Sequence, residues 1–251
     1  MDLNLWKSKD ELKKFLDNLG VEYRYGCYEE NNPETCHLLG DYLLSIDKAR
    51  SKAAQTYKQN CDDNKFGLSC DAYGRMAFRG QGMEAPNSNL ALQYFTKGCE
   101  FGEPRACYHG GQMYGVNDKM VNKLVPPDPD KAFEMLSKAC LSKKQPQACT
   151  LLHSFYLRGC HGKDPDPKQA ARYGEIACDQ NEQTACYNMS RMYHLGDGVE
   201  PNREKAAYYK ERAKNVAAGI RKTLDPNTDA TPDMWMSHEN RVTVIQKEVA
   251  W

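Results

Sequence analysis

The sequence predicts an all-α fold in which helix pairs follow one another along the chain as a solenoid. Three observations favour it. Ten of the eleven cysteines form couples eight or nine residues apart, the couples recur every 34 to 41 residues, and the stretches between them carry helical stripes of small and bulky side chains. A recurring unit of this length is typical of helix-turn-helix repeats, which bury their apolar faces by stacking on their neighbours.

The first predicted element is an amphipathic helix in the opening segment MDLNLWKSKDELKKFLDNLG. Ser8 is suited to be its N-cap, because Glu11 stands three residues later and completes a capping box. Gly20 is expected to end the helix, since glycine adopts the left-handed conformation at helix C-termini. We assign residues 1–25 to an N-terminal capping region.

The first helix of each repeat is predicted to start near the second cysteine of a couple. Four residues after that cysteine the side chain is small in four of five repeats, which allows close helix approach. These positions are Gly40, Gly74, Gly111, His153 and Ser190, of which His153 is the exception. Three glycines, Gly80, Gly159 and Gly196, are placed where a left-handed residue would end the first helix.

The second helix of each repeat carries an alanine eight residues before the next couple. The alanines are Ala53, Ala91, Ala132 and Ala170, with Ala206 in the last repeat. Three residues after each alanine stand Thr56, Tyr94, Met135, Tyr173 and Tyr209. A stripe that pairs a small residue with a bulky one at helical spacing predicts a packed core.

These stretches resemble the Sel-one-like (Sel1-like) repeat, a relative of the tetratricopeptide repeat. The shared pattern is C-x-x-L/Y-G-x-x-Y/F, then G-x-G, then K-A-x-x-Y-Y-x-x-A. Good copies are SRMYHLGDGVEPNREKAAYYKERA (190–213) and LALQYFTKGC (90–99), whereas the copy at 107–140 departs through its long VNDKMVNKLVPPDPD loop. The resemblance implies an α/α solenoid (superhelix) of about five repeats, which we assign to residues 26–218.

In such a solenoid the end of one repeat's second helix lies against the first helix of the next repeat. The cysteine couples are therefore expected to form disulfides between successive repeats. The pairs would be Cys27–Cys36, Cys61–Cys70, Cys99–Cys107, Cys140–Cys149 and Cys178–Cys186. A zinc site and reduced core thiols are the alternatives, although zinc ligands usually stand two to four residues apart and assemble in fours.

The eleventh cysteine, Cys160, lies in the turn RGCHGK beside His161. We expect it to be an exposed free thiol, and a redox role stays open.

Cysteine content, hydropathy and charge indicate in which cellular compartment the protein resides and which kinds of partner it binds. Stable disulfides favour an oxidising compartment, yet the N-terminal segment lacks the apolar stretch of a secretory signal and is too acidic for a transit peptide. The mitochondrial intermembrane space is compatible both with disulfides and with the lack of such a targeting segment, and we expect import by a disulfide relay. No stretch is apolar enough to span a membrane, and Lys plus Arg equal Asp plus Glu at 34 each, which argues against a nucleic-acid partner.

The whole chain is similar to the cytochrome c oxidase assembly factor 7 family. The resemblance rests on the acidic N-terminal helix, YGCYE around Cys27, the five repeats and NMSRMYHLGDGV. It implies a soluble intermembrane-space scaffold or chaperone for respiratory complexes, chiefly cytochrome c oxidase, that binds protein or peptide partners. Two other classes stay open: a thiol-disulfide or haem/copper-handling factor in the same compartment, and a secreted cysteine-rich repeat protein.

Catalytic motifs do not support an enzyme. No S-x-x-K stands with the S-D-N and K-T-G elements of a serine beta-lactamase, and the metal patterns H-x-H-x-D and H-E-x-x-H are missing. We expect no cofactor and no metal site. Haem or copper remains a weak alternative, for which His109 with Met113 and His194 with Met192 are the candidate ligands.

A partner-binding surface follows from the repeat phase. If the first helices line the concave side, positions one, five and eight after each second cysteine face the partner. The candidates are His37, Asp41, Asp71, Arg75, Phe78, Tyr108, Gln112, Tyr187, Arg191 and His194. An ordinary solvated helix face is the alternative.

Residues 219–251 are expected to form a linker and a C-terminal tail. The tail's apolar residues would either cap the solenoid or bind another protein.

Overall fold

The computed structural model describes residues 8–115, 125–142 and 145–224, with the backbone alone for 220–224. Over these residues the chain forms eleven helices and no strand. It divides after Pro165 into two compact units. The predicted C-terminal tail lies outside the described residues from position 225 onward, as does part of the VNDKMVNKLVPPDPD loop.

The first unit contains eight described helices. They are α1 (Lys9–Tyr28), α2 (Pro33–Ser45), α3 (Arg50–Asn64), α4 (Gly67–Arg79), α5 (Ser88–Glu100), α6 (Pro104–Gly115), α7 (Pro129–Leu141) and α8 (Pro146–Arg158). The second unit contains α9 (Pro167–Asp179), α10 (Gln183–Leu195) and α11 (Arg203–Leu224).

Helix α1 begins where the capping box predicts and ends later than expected. The Ser8 hydroxyl accepts a hydrogen bond from the Glu11 amide at 3.1 Å. Gly20 does not end the helix, so that expectation is wrong. A Cβ on this buried glycine would lie 2.6 Å from the Tyr42 ring, which shows that the glycine allows α1 and α2 to approach each other.

Helices pack in sequence order within each unit. In the first unit, α2 packs on α3, α4 on α5 and α6 on α7, and each second helix also packs on the next first helix. Neighbouring helices that a short loop joins run antiparallel. First helices of successive repeats touch as well, α4 with α6 and α6 with α8.

The predicted alanine stripe forms the centre of these interfaces. Ala53, Ala91 and Ala132 are completely buried in the first unit, as Ala170 is in the second. Most of the bulky residues three positions later, among them Tyr94 and Met135, are buried too. The stripe therefore belongs to the core.

Helix ends agree with the glycine pattern in two of three cases. Gly80 and Gly196 are left-handed C-caps, with φ 68° and ψ 21° and with φ 76° and ψ 28°. Gly159 also has a positive φ of 78°, but its ψ of 165° is extended. The chain there enters a short bridge in which the backbones of Cys160 and Lys163 exchange two hydrogen bonds.

Five disulfides join successive helices across the short loops. The bonds are Cys27–Cys36, Cys61–Cys70, Cys99–Cys107, Cys140–Cys149 and Cys178–Cys186, with Cα separations of 4.5 to 4.8 Å. Each connects the end of one helix to the first turns of the next. An all-α repeat fold with disulfides between successive repeats is thus confirmed.

We predict that replacing Cys61 and Cys70 together by serine lowers the free energy of unfolding by about 2 to 3 kcal/mol. The reason is that the bond closes a loop of nine residues and restricts the unfolded chain. Thermal or urea unfolding of both proteins under oxidising conditions measures the difference.

Repeating the measurement in excess reductant is the control, because there the two proteins should unfold almost alike. Equal stability under oxidising conditions would contradict the assigned bond.

Candidate partner-binding site

In the first unit, two of the predicted surface residues, Asp71 and Arg75 on α4, belong to a network that also includes Arg105 and His109 on α6. The Asp71 side chain is almost completely buried. It accepts hydrogen bonds from Arg75 Nε at 3.0 Å and from His109 Nδ1 at 2.7 Å, and Arg105 Nε lies 3.8 Å away. Contact between α4 and α6 brings these groups together.

The balance of burial and charge decides the ionisation of Asp71. Burial by itself would raise the pKa of this carboxyl group, but the hydrogen bond from His109 and the charges of His109, Arg75 and Arg105 outweigh it. The pKa is therefore held below its ordinary value. Asp71 is therefore a carboxylate. It holds Arg75 and His109 in place at the surface, and its charge is balanced by these neighbours within the protein.

The predicted residues on α2, His37 and Asp41, also form hydrogen bonds with side chains of the same unit. Asp41 accepts a hydrogen bond from the Tyr57 hydroxyl at 2.5 Å. His37 is hydrogen-bonded to the Ser69 hydroxyl at 3.0 Å, and its ring lies against Tyr57 and Phe66. Burial lowers the pKa of His37, which Asp41 partly opposes and Arg105 and Arg75 reinforce. His37 is therefore mostly neutral at pH 7 and packed against its neighbours.

The remaining candidates of the first unit are partly buried. Phe78 packs against the apolar cluster around Ala91 and Phe95, and the Tyr108 ring lies 5.4 Å from that of His109. Gln112 is half-buried on α6. The sequence-based selection missed His109 and Arg105, because it sampled only positions one, five and eight. Arg105 stands two residues before Cys107 and His109 two residues after it.

In the second unit, three candidates converge on a cleft between α10 and α11. Tyr187, Arg191 and His194 line it on α10 together with Ser190. Helix α11 contributes Arg203, Ala206, Ala207 and Lys210. The cleft has a volume of about 400 Å³, and each set of four residues has the i, i+3, i+4, i+7 spacing of one helix face.

At the cleft, the last repeat lacks a bulky side chain that the first three repeats have. Over the small residue of the first helix lies a ring or branched chain from the second: Tyr57 over Gly40, Phe95 over Gly74 and Leu136 over Gly111. The corresponding pair in the last repeat is Ser190 and Lys210.

Lysine keeps its charged end in water and leaves the floor of the cleft uncovered. The floor is itself held together, because the Ser190 hydroxyl donates to the Ala206 carbonyl at 2.7 Å.

Cys160 differs from the prediction. It is the free cysteine, but it is buried rather than exposed. Its thiol donates to the Gly115 carbonyl at 3.5 Å, and burial raises its pKa although Lys163 opposes the shift. The expectation of an exposed thiol is wrong because the chain folds the turn after α8 back onto the end of α6.

Metal ligands do not gather in the part of the chain that the structure describes. No group of three or more His, Cys, Asp or Glu side chains there could hold a metal ion. Of the suggested ligands, His109 is bound to Asp71 and Met113 is buried, while His194 lines the cleft. Among the same residues, no helix is long and apolar enough to cross a bilayer.

We predict that Asp71→Asn lowers the free energy of unfolding at pH 7 by about 1 to 3 kcal/mol, because charge-assisted hydrogen bonds from Arg75 and His109 are lost. A carboxyl group with a lowered folded pKa stabilises the protein above its unfolded pKa of about 4, and that contribution disappears as pH falls through the folded value. Wild type should therefore lose stability more steeply than the variant as pH falls below about 4.

Urea unfolding at several pH values tests this. Asp63→Asn, at an exposed position of α3, is the matched control and should follow wild type. Parallel pH profiles for wild type and Asp71→Asn would contradict the assignment.

We also predict that Cys160 reacts slowly with iodoacetamide in the folded, oxidised protein at pH 7.5. The thiol is buried and its pKa is raised, so the reactive thiolate is scarce. Intact mass after timed alkylation measures the rate, with the urea-unfolded oxidised protein as the fast reference. Equal rates in the two states would contradict a buried thiol.

Comparison with known proteins agrees with this architecture. The Sel1 repeat family model matches residues 68–100, 104–143, 148–182 and 183–215, that is, the pairs α4–α5, α6–α7, α8–α9 and α10–α11. A Sel1 repeat protein from Oxalobacter formigenes shares the fold, with a TM-score of 0.59 and 20% identity over 83% of this chain and 64% of its own. The prediction of a Sel-one-like solenoid is confirmed.

Two relatives in sequence cover most of the chain. The cytochrome c oxidase assembly factor 7 homolog of Drosophila melanogaster is 33% identical over 87% of this chain and 94% of its own length. Cytochrome c oxidase assembly factor 7 of Xenopus tropicalis is 37% identical over 84% and 90%. Both names describe assembly factors rather than enzymes, in agreement with the non-catalytic interpretation of the sequence. With Sel1 repeats and five disulfides between them, the chain belongs to the cytochrome c oxidase assembly factor 7 family.

Proposed function

We propose that the protein is a non-enzymatic scaffold for the assembly of mitochondrial respiratory complexes, chiefly cytochrome c oxidase, and that it acts in the intermembrane space. The observation that carries the proposal is the full-length similarity to proteins named cytochrome c oxidase assembly factor 7. A scaffold needs a rigid frame and an exposed surface for a partner, and the molecule has features suited to both.

The five disulfides support a location in the intermembrane space. Ten cysteines stand in bonding geometry in the repeat interfaces, with Cα separations of 4.5 to 4.8 Å. Such bonds persist in oxidising compartments and are rare in the cytosol. The intermembrane space satisfies both this requirement and the mitochondrial role in the relatives' names.

The surface supports partner binding. Repeat proteins of this kind bind their partners along the face that successive helices present. In the first unit that face is consolidated by internal pairs around Asp71 and Asp41. In the second unit, the α10–α11 cleft presents exposed side chains such as Arg191 and His194.

The buried position of Cys160 bears on the thiol-disulfide alternative. A redox-active cysteine is typically accessible with a lowered pKa, whereas the Cys160 thiol is buried with a raised pKa. The scaffold therefore explains the described residues better.

Deleting the gene in cells of the source organism tests the proposal. We expect less assembled cytochrome c oxidase on native gels, with recovery when the wild-type protein is restored. The Cys160→Ser variant is the control and should restore the complex equally, since a scaffold does not need that thiol.

Location is tested in the same cells by protease treatment. The protein should be protected in intact mitochondria and degraded once the outer membrane is ruptured. Normal levels of every respiratory complex after deletion would contradict the assembly role, and a fully reduced cytosolic pool would contradict the compartment.

A further inference from the structure

We infer that the α10–α11 cleft binds an acidic peptide segment of a partner protein, with carboxylate side chains between its basic walls. This inference rests on the proposed function, because it names the chemistry of the partner that the scaffold holds. Its argument starts from the charges of the cleft.

Three cations line the cleft and no carboxylate does. Arg191 stands on the α10 wall, and Arg203 and Lys210 on the α11 wall. Over the described residues, none of the three forms an ion pair. Holding three like charges around one concavity is unfavourable, so a bound anion gains energy there without breaking existing pairs.

Three other cations of α11 differ from those in the cleft. Arg212 pairs with Asp179 at 3.2 Å, Lys214 pairs with Glu211 at 3.3 Å, and Lys205 Nζ lies 3.3 Å from the Tyr193 hydroxyl. Lys205, Arg212 and Lys214 thus have partners within the chain. The cations on the cleft face are left for a partner outside it.

The spacing of the cations fits an extended peptide. Arg203 and Lys210 are seven residues apart on one helix face, which corresponds to about 10 Å along the axis. An extended chain covers that distance in about three residues. Because side chains of an extended chain alternate between two faces, acidic residues at positions i and i+4 point to the same wall. The long side chains of Arg203 and Lys210 can reach both, with Arg191 facing them from the opposite wall.

The lining of the cleft favours a peptide over other anions. Tyr187, which lines the cleft, is 47% exposed. Ala206 and Ala207 contribute an apolar surface to the cleft. A volume of about 400 Å³ suits a few side chains. Nucleic acid requires a longer basic track, whereas this chain has equal numbers of acidic and basic residues.

The test uses the oxidised full-length protein and a labelled peptide with glutamates at i and i+4 and a leucine at i+2, so that all three side chains lie on one face of the extended chain. Fluorescence anisotropy gives its affinity. We expect the same peptide with glutamines to bind at least tenfold more weakly, and added salt to weaken the glutamate peptide progressively.

Charge reversal locates the site. The double variant Arg191→Glu/Lys210→Glu should weaken binding at least tenfold, while Lys168→Glu, an exposed lysine of α9 outside the cleft, should change it less than twofold. A circular dichroism melt verifies that each variant is folded. Binding that survives the double reversal, or equal binding of the glutamine peptide, would overturn the inference.

Other occupants have distinct signatures. Vesicles containing phosphatidylglycerol, or inorganic phosphate, that bind through Arg191 and Lys210 while the peptide does not would reassign the cleft to a phosphate group. Self-association that the double variant abolishes would reassign it to a second copy of the chain. A synthetic peptide of residues 225–251 that binds while the acidic probe does not would assign it to the chain itself.

The outcomes also separate this inference from the proposed function. Loss of cytochrome c oxidase after gene deletion together with failed peptide binding would overturn the cleft assignment alone. Specific peptide binding without any respiratory defect would retain the cleft and overturn the assembly role.

Discussion

The structure depends on the close approach of paired helices at small residues. Glycine on a first helix receives a ring or branched chain from the second, as in the Gly40–Tyr57 and Gly74–Phe95 contacts, and a fully buried alanine on the second helix brings the backbones together. Such contacts gain dispersion energy only at short range. Each repeat buries little by itself, so the interface with the next repeat completes the core.

The disulfides act on those same interfaces. Each closes a loop of eight or nine residues at the point where one repeat meets the next. Since the loops are small, each bond holds a second helix and the following first helix in a fixed relation without constraining the outward faces. The frame is stabilised in the core and the faces remain available for partners.

The two units use their outward faces differently for reasons of charge. In the first unit, Asp71 and Asp41 accept hydrogen bonds from neighbouring side chains, so polar groups of the predicted surface satisfy one another. In the second, the bulky residue over the small one is replaced by Lys210, and Arg191 and Arg203 join it around an open floor. Where Lys210 takes the place of a bulky residue in the interlocking pattern, a basic cleft lies between α10 and α11.

Sequence alone determined the helix pairs, the buried alanines, the cysteine couples and the family, because repetition at a fixed period records which residues must meet in neighbouring units. It also placed Tyr187, Arg191 and His194 on one helix face. Tertiary structure decided which of the candidate side chains are used internally, since contact between α4 and α6 joins His109 to Asp71 across 38 residues of sequence. It likewise decided that Gly20 serves a close approach and that Cys160 is buried, because both depend on which distant segment lies against the residue and the local pattern does not contain that information.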